Sequence, residues 1–234
     1  MIAIIAAMDK ELHSLLDQVT IFKTEVVAEK TFFVGTLSGK DVIIAKSGIG
    51  KVNAAVTTAI LLDHYAVDFV INTGLAGGIA PAKSGDIVIA ADVAYSDVDF
   101  RVINPELSFG QMEGEPFLVA SDIALIQLAK EVLVEFKIDF QLGTLVSGDQ
   151  FVTSKKKIKM IMDNVDTVIA CEMEGMAVAL TCYHFKTPFI IIRGVSDIID
   201  ATKQVSDYYA ISTSIAKKTT DFVIRFIEKC QWNK

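Results

Sequence analysis

The stretch IAIIAAMDKELHSLLDQV (residues 2–19) decides the fold. Ile2–Ala6 is an unbroken apolar run, too short for a helix and suited to a strand buried on both faces. Asp9–Val19 follows, with Leu12, Leu15, Leu16 and Val19 on one helical face. A buried strand feeding an amphipathic helix is the repeating unit of α/β sheets. The same rhythm returns along the chain. Thr31–Leu37 and Asp41–Lys46 read as strands around a Ser38-Gly39 turn, and Val52–Tyr65 reads as a helix. Phe69–Thr73 and Asp86–Ala94 read as strands, and Ser121–Phe136 as a helix capped by Ser121 or Asp122. Gly143–Ser147, Thr167–Cys171 and Phe189–Gly194 read as strands, each followed by a turn and a helical pattern. The last helix is expected over Tyr208–Lys229, and residues 96–116 read as irregular. The expected architecture is one α/β domain spanning residues 1–234: a mixed, largely parallel β-sheet flanked by helices in three layers.

Composition narrows the function. Of 234 residues, 52% are hydrophobic and 22% charged, which supports a sizeable core. The net charge of −7 argues against a nucleic-acid partner, which calls for a basic stripe. No basic region precedes the apolar N-terminus, and no apolar run reaches the roughly 18–20 residues of a membrane span. A cytoplasmic protein without membrane contact is expected. Cys171, Cys182 and Cys230 are too few and too scattered for a disulfide framework. His13, His64 and His184 form no local metal motif, so no metal is expected.

Sheets of this class gather ligands at the carboxyl ends of their strands. Ser47-Gly48-Ile49-Gly50-Lys51 lies at one such end. It lacks the GxxxxGK[ST] spacing of a phosphate loop and reads as a glycine turn entering a helix. Gly74-Leu75-Ala76-Gly77-Gly78 is not a dinucleotide fingerprint, but its glycines let a ligand approach the backbone closely. No cofactor is implied. Cys171-Glu172-Met173-Glu174-Gly175 carries two glutamates at the end of an apolar strand. They form either part of an acidic site or the solvated first turn of a helix. In extended geometry Glu172 and Glu174 share a face and Met173 points opposite. Arg193, Ser196 and Asp197 follow the apolar strand at Phe189–Ile192; an ion pair or a helix cap is the alternative there. Glu11, taken alone, is an ordinary first-turn acid.

Together these segments resemble the 5′-methylthioadenosine/S-adenosylhomocysteine nucleosidase family of the purine nucleoside phosphorylase-like superfamily. The pieces that carry the resemblance are AIIAAMDKE (3–11), KSGIGKVNAA (46–55), VINTGLAGG (70–78), GDIVIA (85–90), LVSGDQF (145–151), CEMEGMAVA (171–179) and FIIIRGVSD (189–197). They occur in family order over most of the chain.

The resemblance implies hydrolysis of an adenine nucleoside, with roles carried over residue by residue. Glu11 matches the base that activates water. Asp197, supported by Ser196, matches the acid at adenine N7. Glu174 matches the group that binds the ribose hydroxyls, and Met173 the methionine against the nucleoside. Arg193 matches a residue that orders the site. Met8, Ile49, Phe151 and Val152 match apolar walls, Gly77 lies beneath the nucleoside, and Glu172 joins the substrate-binding set. The family also implies a homodimer.

The chemistry agrees with these residue types. Cleaving an N-glycosidic bond builds positive charge on the ribose, which carboxylates stabilise. Adenine leaves only once N7 accepts a proton. The expectation is therefore a high-titrating Asp197 and a low-titrating Glu11.

A phosphorylase on the same fold is the alternative. Phosphate binding favours arginine, yet only Arg101, Arg193 and Arg225 occur; Lys46 and Lys51 remain as possible anion ligands. A non-catalytic nucleoside-binding module would not need three acids. Departures from the family pattern fall at Leu75, at Ser96–Gln111 and at Ser206–Tyr209, where Tyr208 or Tyr209 stands near an expected aromatic cap. These lie near the 5′ end of the substrate, so adenine and ribose recognition is better supported than the choice of 5′ group. Lys155, Lys156, Lys157 and Lys159 read as a solvated helix face.

Overall fold

A computed structural model describes residues 1–199 and 202–231. Its strands are β1 (Ile2–Ala6), β2 (Thr20–Val27), β3 (Lys30–Leu37), β4 (Lys40–Lys46), β5 (Phe69–Gly78), β6 (Ile87–Tyr95), β7 (Val119–Ala120), β8 (Phe140–Ser147), β9 (Val168–Glu172) and β10 (Phe189–Ile198). The helices are α1 (Asp9–Leu16), α2 (Lys51–His64), α3 (Ile123–Glu135), α4 (Lys155–Met162), α5 (Gly175–Phe185) and α6 (Gln204–Lys229).

The strands form one sheet in the order β10-β6-β8-β9-β5-β1-β4-β3-β2, with β7 on β6. Its centre is parallel: β1 pairs with β4 and β5, β5 with β10, β6 with β8, and β8 with β9. Antiparallel pairing appears at the β2–β3–β4 edge, at β6–β7, and where β10 meets β6 and β9 meets β5. Because β5 touches both β9 and β10, the strands β5, β10, β6, β8 and β9 close into a ring. The expected sheet is thus present, but curled on itself at one end.

The apolar runs explain the layers. Ile190 and Ile192 face a core with Leu12, Leu15, Phe222 and Phe226 of α1 and α6, while Ile191 and Phe189 face one with Met176 and Val178 of α5. Strict alternation of two buried faces places helices on both sides of the sheet. Asp122 caps α3 by accepting a hydrogen bond from Leu125 N at 3.0 Å. No helix among the described residues is long and apolar enough to cross a membrane.

Several elements depart from expectation: α6 begins at Gln204 instead of Tyr208, β10 runs past Gly194 to Ile198, and β7 is additional. β2 is an additional edge strand, mostly exposed, that the charged sequence TIFKTEVV disguises. β5 continues past Thr73 through all the glycines to Gly78. These glycines are packing requirements rather than a turn. A Cβ at Gly74 would stand 2.7 Å from Glu11 Oε1, and one at Gly77 would stand 2.8 Å from the Ile199 side chain.

Candidate active site

The carboxyl ends of β1, β5, β9 and β10 converge on a cavity of about 360 Å³. Met8, Glu11, Ile49, Gly77, Phe151, Glu172, Met173, Glu174, Ser196 and Asp197 all line it. Of the expected site residues, Arg193 and Val152 are absent from its wall. A larger hollow of 460 Å³ opens beside Met1, Lys40 and Asp68, but none of the buried acids reaches it.

Glu11 reaches the cavity because α1 starts immediately after β1. Its side chain turns back to the helix start, where Oε2 accepts from Ala7 N (3.0 Å) and Met8 N (2.9 Å). Oε1 accepts from Leu75 N at 3.0 Å across the gap that Gly74 leaves. Glu11 is therefore an internal group rather than a surface acid, at 3% exposure. Burial raises its pKa, although the charge of Arg193 and the three backbone N–H donors pull it down. The expectation of a low-titrating Glu11 is corrected on this point: desolvation outweighs the donors.

Glu172 and Glu174 do not form a simple extended pair. The chain leaves β9 at Glu172, and Glu174 stands at the N-cap of α5 with φ −129° and ψ −35°. This bend brings Met173 to the cavity wall alongside both acids, which corrects the expected opposite orientation. Glu172 is saturated by protein. Ser147 Oγ donates a very short hydrogen bond to Oε1, Arg193 Nη2 lies 2.5 Å from Oε2, and the N–H groups of Glu174 and Gly175 also donate. Burial opposes its charge, yet the adjacent Arg193 and these donors hold its carboxyl below the usual range.

Glu174 has the opposite fate. Oε1 accepts from Gly50 N at 2.9 Å, and Oε2 stands 4.0 Å from Arg193. Burial, then the charge of Glu172, pushes its pKa up to about 8. Ionising both neighbours would place like charges side by side in a low-dielectric wall. The SGIGK turn thus serves a carboxylate of its own chain. Gly50 supplies that N–H at φ 94°, a backbone region that favours glycine.

Arg193 is 1% exposed and sits behind the glutamates. Its Nη2 also donates to Asn72 Oδ1 at 2.6 Å, and Asn72 Nδ2 donates to Ile5 O. Asp197 accepts from Ser196 Oγ at 2.6 Å on Oδ1 and from Gln204 Nε2 at 2.9 Å on Oδ2. Burial raises its pKa against both donors, as the sequence reading expected. Val152 is turned into a neighbouring apolar cluster, and its carbonyl accepts from Gln204 Nε2 at 2.8 Å.

Tyr208 fills the aromatic position left open by the sequence. It lines the cavity, meets Phe151 edge-on at 5.5 Å, and accepts from Lys10 Nζ at 2.8 Å. Tyr209 is 78% exposed. Each of the two lysines weighed as anion ligands meets a carboxylate: Lys46 the exposed Asp9 at 2.6 Å, and Lys51 the half-buried Asp97 at 2.7 Å. Asn72 and Ser147 fall inside the matched pieces VINTGLAGG and LVSGDQF but receive no role there, and Gln204 carried no signal, because an uncharged polar residue near a strand or helix end has many ordinary uses.

Residues 1–228 match the family model described as the phosphorylase superfamily. The chain is 39% identical over 230 residues to a 5′-methylthioadenosine/S-adenosylhomocysteine nucleosidase of Bacillus subtilis (strain 168), covering 97% of this chain and 98% of that protein. It belongs to the methylthioadenosine/S-adenosylhomocysteine nucleosidase family. Among solved members, the crystal structure of the Neisseria meningitidis nucleosidase in complex with methylthio-immucillin-A superposes with a TM-score of 0.93 at 36% identity, over 98% of this chain and 99% of that one. A futalosine hydrolase mutant of Helicobacter pylori strain 26695 superposes with a TM-score of 0.91 at 27% identity, over 98% and 99% of the two chains. The nucleosidase fold is therefore shared by proteins whose names carry different nucleosides. The segment Ser96–Gln111, where this chain departs from the family pattern, packs beside the rim through Asp97, which accepts from Asp149 N and pairs with Lys51.

Proposed function

We propose that this chain hydrolyses the N-glycosidic bond of 5′-methylthioadenosine and S-adenosylhomocysteine, releasing adenine and the 5′-substituted ribose. The observation that carries the reading is the division of labour among acids in one cavity. Glu11, Glu174 and Asp197 are all buried, all displaced upward in pKa, and separately hydrogen-bonded.

In this mechanism Asp197 gives a proton to adenine N7, which makes the base a competent leaving group. Glu174, neutral near pH 7 with a pKa of about 8, both donates to and accepts from the ribose hydroxyls. Glu11 takes a proton from the attacking water. Its raised pKa makes it a stronger base once ionised. Carboxylate charge facing the ribose stabilises its oxocarbenium-like transition state. Glu172 and Arg193 are assigned to holding Glu174 and the floor rather than to contacting the sugar. Met8, Ile49, Met173, Phe151 and Tyr208 enclose the nucleoside, and Gly77 leaves room for the base against Asp197.

No lysine or arginine lines the cavity among the described residues, which favours water over phosphate as the nucleophile. Incubating the protein with each nucleoside and identifying the products tests the reading. Adenine plus free 5′-substituted ribose supports it; intact nucleoside after prolonged incubation would refute it.

The protein is further proposed to act as a homodimer through α2 and α5. Val52 is 75% exposed there, with Val56, Met112, Tyr183 and Phe185 also exposed, which is apolar surface a partner would cover. Sedimentation at micromolar concentration should give twice the chain mass; a monomer would contradict it.

A further inference from the structure

The side chain of Gln204, the first residue of α6, is 4% exposed and lies outside the cavity wall. One amide nitrogen donates to both Asp197 Oδ2 (2.9 Å) and the carbonyl of Val152 (2.8 Å). The same Oδ2 faces Gly77, where an added Cβ would stand 3.2 Å away, so the oxygen held by Gln204 is the one on the cavity side. The other oxygen accepts from Ser196 Oγ. An amide N–H donates and cannot accept. Gln204 therefore fixes one lone pair of Oδ2 as an acceptor. A proton on Oδ2 is left the remaining direction, toward the cavity.

We infer that Gln204 is a positioning residue for the acid of the reaction: it clamps Asp197 between α6 and the segment at Val152 and aims the carboxyl proton at the bound base. This rests on Asp197 being the group that protonates the base. Gln204 contributes two effects. It removes rotational freedom from the Asp197 carboxyl, and its donation makes the acid stronger by favouring the ionised form that remains after proton transfer. Among the described residues, the other titratable groups facing Asp197 are Asp207 from α6 and Cys171 from β9, with Glu172 and Glu174 lining the same cavity. Among the described residues, Gln204 and Ser196 are the side chains that donate to it.

The test is the pH profile of kcat/KM in Gln204→Met and Gln204→Glu, beside Asp197→Asn. Loss of the amide donor raises the pKa of Asp197. The alkaline limb, which reports loss of its proton, should therefore move to higher pH in Gln204→Met. Turnover should fall about tenfold as the weaker, less oriented acid takes over. Gln204→Glu should approach wild-type turnover only at low pH, where the introduced carboxyl is protonated and can donate as the amide does. A merely structural glutamine would change melting temperature and leave the limb in place. An unmoved limb in both variants with intact folding overturns the inference. Full activity in Asp197→Asn would instead overturn the underlying assignment of the acid. A limb set by Glu174 would be insensitive to Gln204, which also counts against the inference.

Discussion

The floor and the rim of the cavity are built in opposite ways. The floor is a connected set of buried partners: Arg193 joins Asn72 and Glu172, Glu172 joins Ser147, and Ser147 Oγ accepts from Met176 N at 2.7 Å, while Nε and Nη1 of Arg193 meet no hydrogen-bond partner among the described residues. The rim is half open, with Ile49 at 52% and Phe151 at 49% exposure around Tyr208. A buried, hydrogen-bonded floor resists rearrangement and holds charge states that water would erase. An apolar, open rim tolerates exchange of side chains. Two departures from the family pattern, Ser96–Gln111 and Ser206–Tyr209, fall at the rim or beside it; the third, Leu75, is buried and holds Glu11 through its N–H, and the acids fall at the floor. We propose that the chemistry and the choice of 5′ group are carried by different parts of one pocket.

The largest expected effect breaks the floor. Glu172→Ala removes the close ion-pair partner of the buried Arg193 and leaves it Glu174 at 4.0 Å, which should destabilise the protein by about 3–5 kcal/mol in chemical denaturation. A loss below about 1 kcal/mol would show that the floor is not an ion-paired unit. Next come the acids that the floor serves. Asp197→Asn and Glu11→Gln should each lower turnover by about 10²-fold or more in adenine release while leaving the melting transition near wild type.

Glu174 sharpens the contrast through pH. Its carboxyl has an ordinary value of 4.5 and a folded value of about 8, so the folded chain keeps a proton that the unfolded chain releases in between. That contribution to stability is present below the ordinary value and is lost as pH rises through the folded one. Glu172 has the opposite sign: its lowered pKa stabilises above the ordinary carboxylate range and fails as pH falls. Melting temperatures followed from about pH 5 to about pH 8 should decline less in Glu174→Gln than in the wild type; parallel curves would refute the shift. The smallest effect belongs to the rim. Tyr208→Ala should change KM by no more than about tenfold, and by different factors for methylthio and homocysteine substituents. Equal factors would remove the rim from 5′ recognition.

Much of the fold was legible because strands buried on both faces write themselves as unbroken apolar runs, as at Ile2–Ala6 and Phe189–Ile192. β2 was not legible, since an exposed edge strand needs no apolar run. The extension of β5 was hidden because glycines needed for close packing look the same as glycines needed for a turn. The acids were visible as residue types at strand ends, and the family resemblance ordered them. Their charge states were not visible. Glu172 and Glu174 stand two positions apart, and what separates them is Ser147, Arg193 and Gly50, brought from other elements. The upward shift of Glu11 is likewise a property of its burial against β5, not of its place in α1.

The central claim is that this pocket delivers a nucleoside to water. The most direct measurement is the rate of adenine release from 5′-methylthioadenosine in phosphate-free buffer and in excess phosphate, with the sugar product identified. The account predicts equal rates and free 5-methylthioribose in both. Release that requires phosphate and yields the sugar 1-phosphate would contradict it.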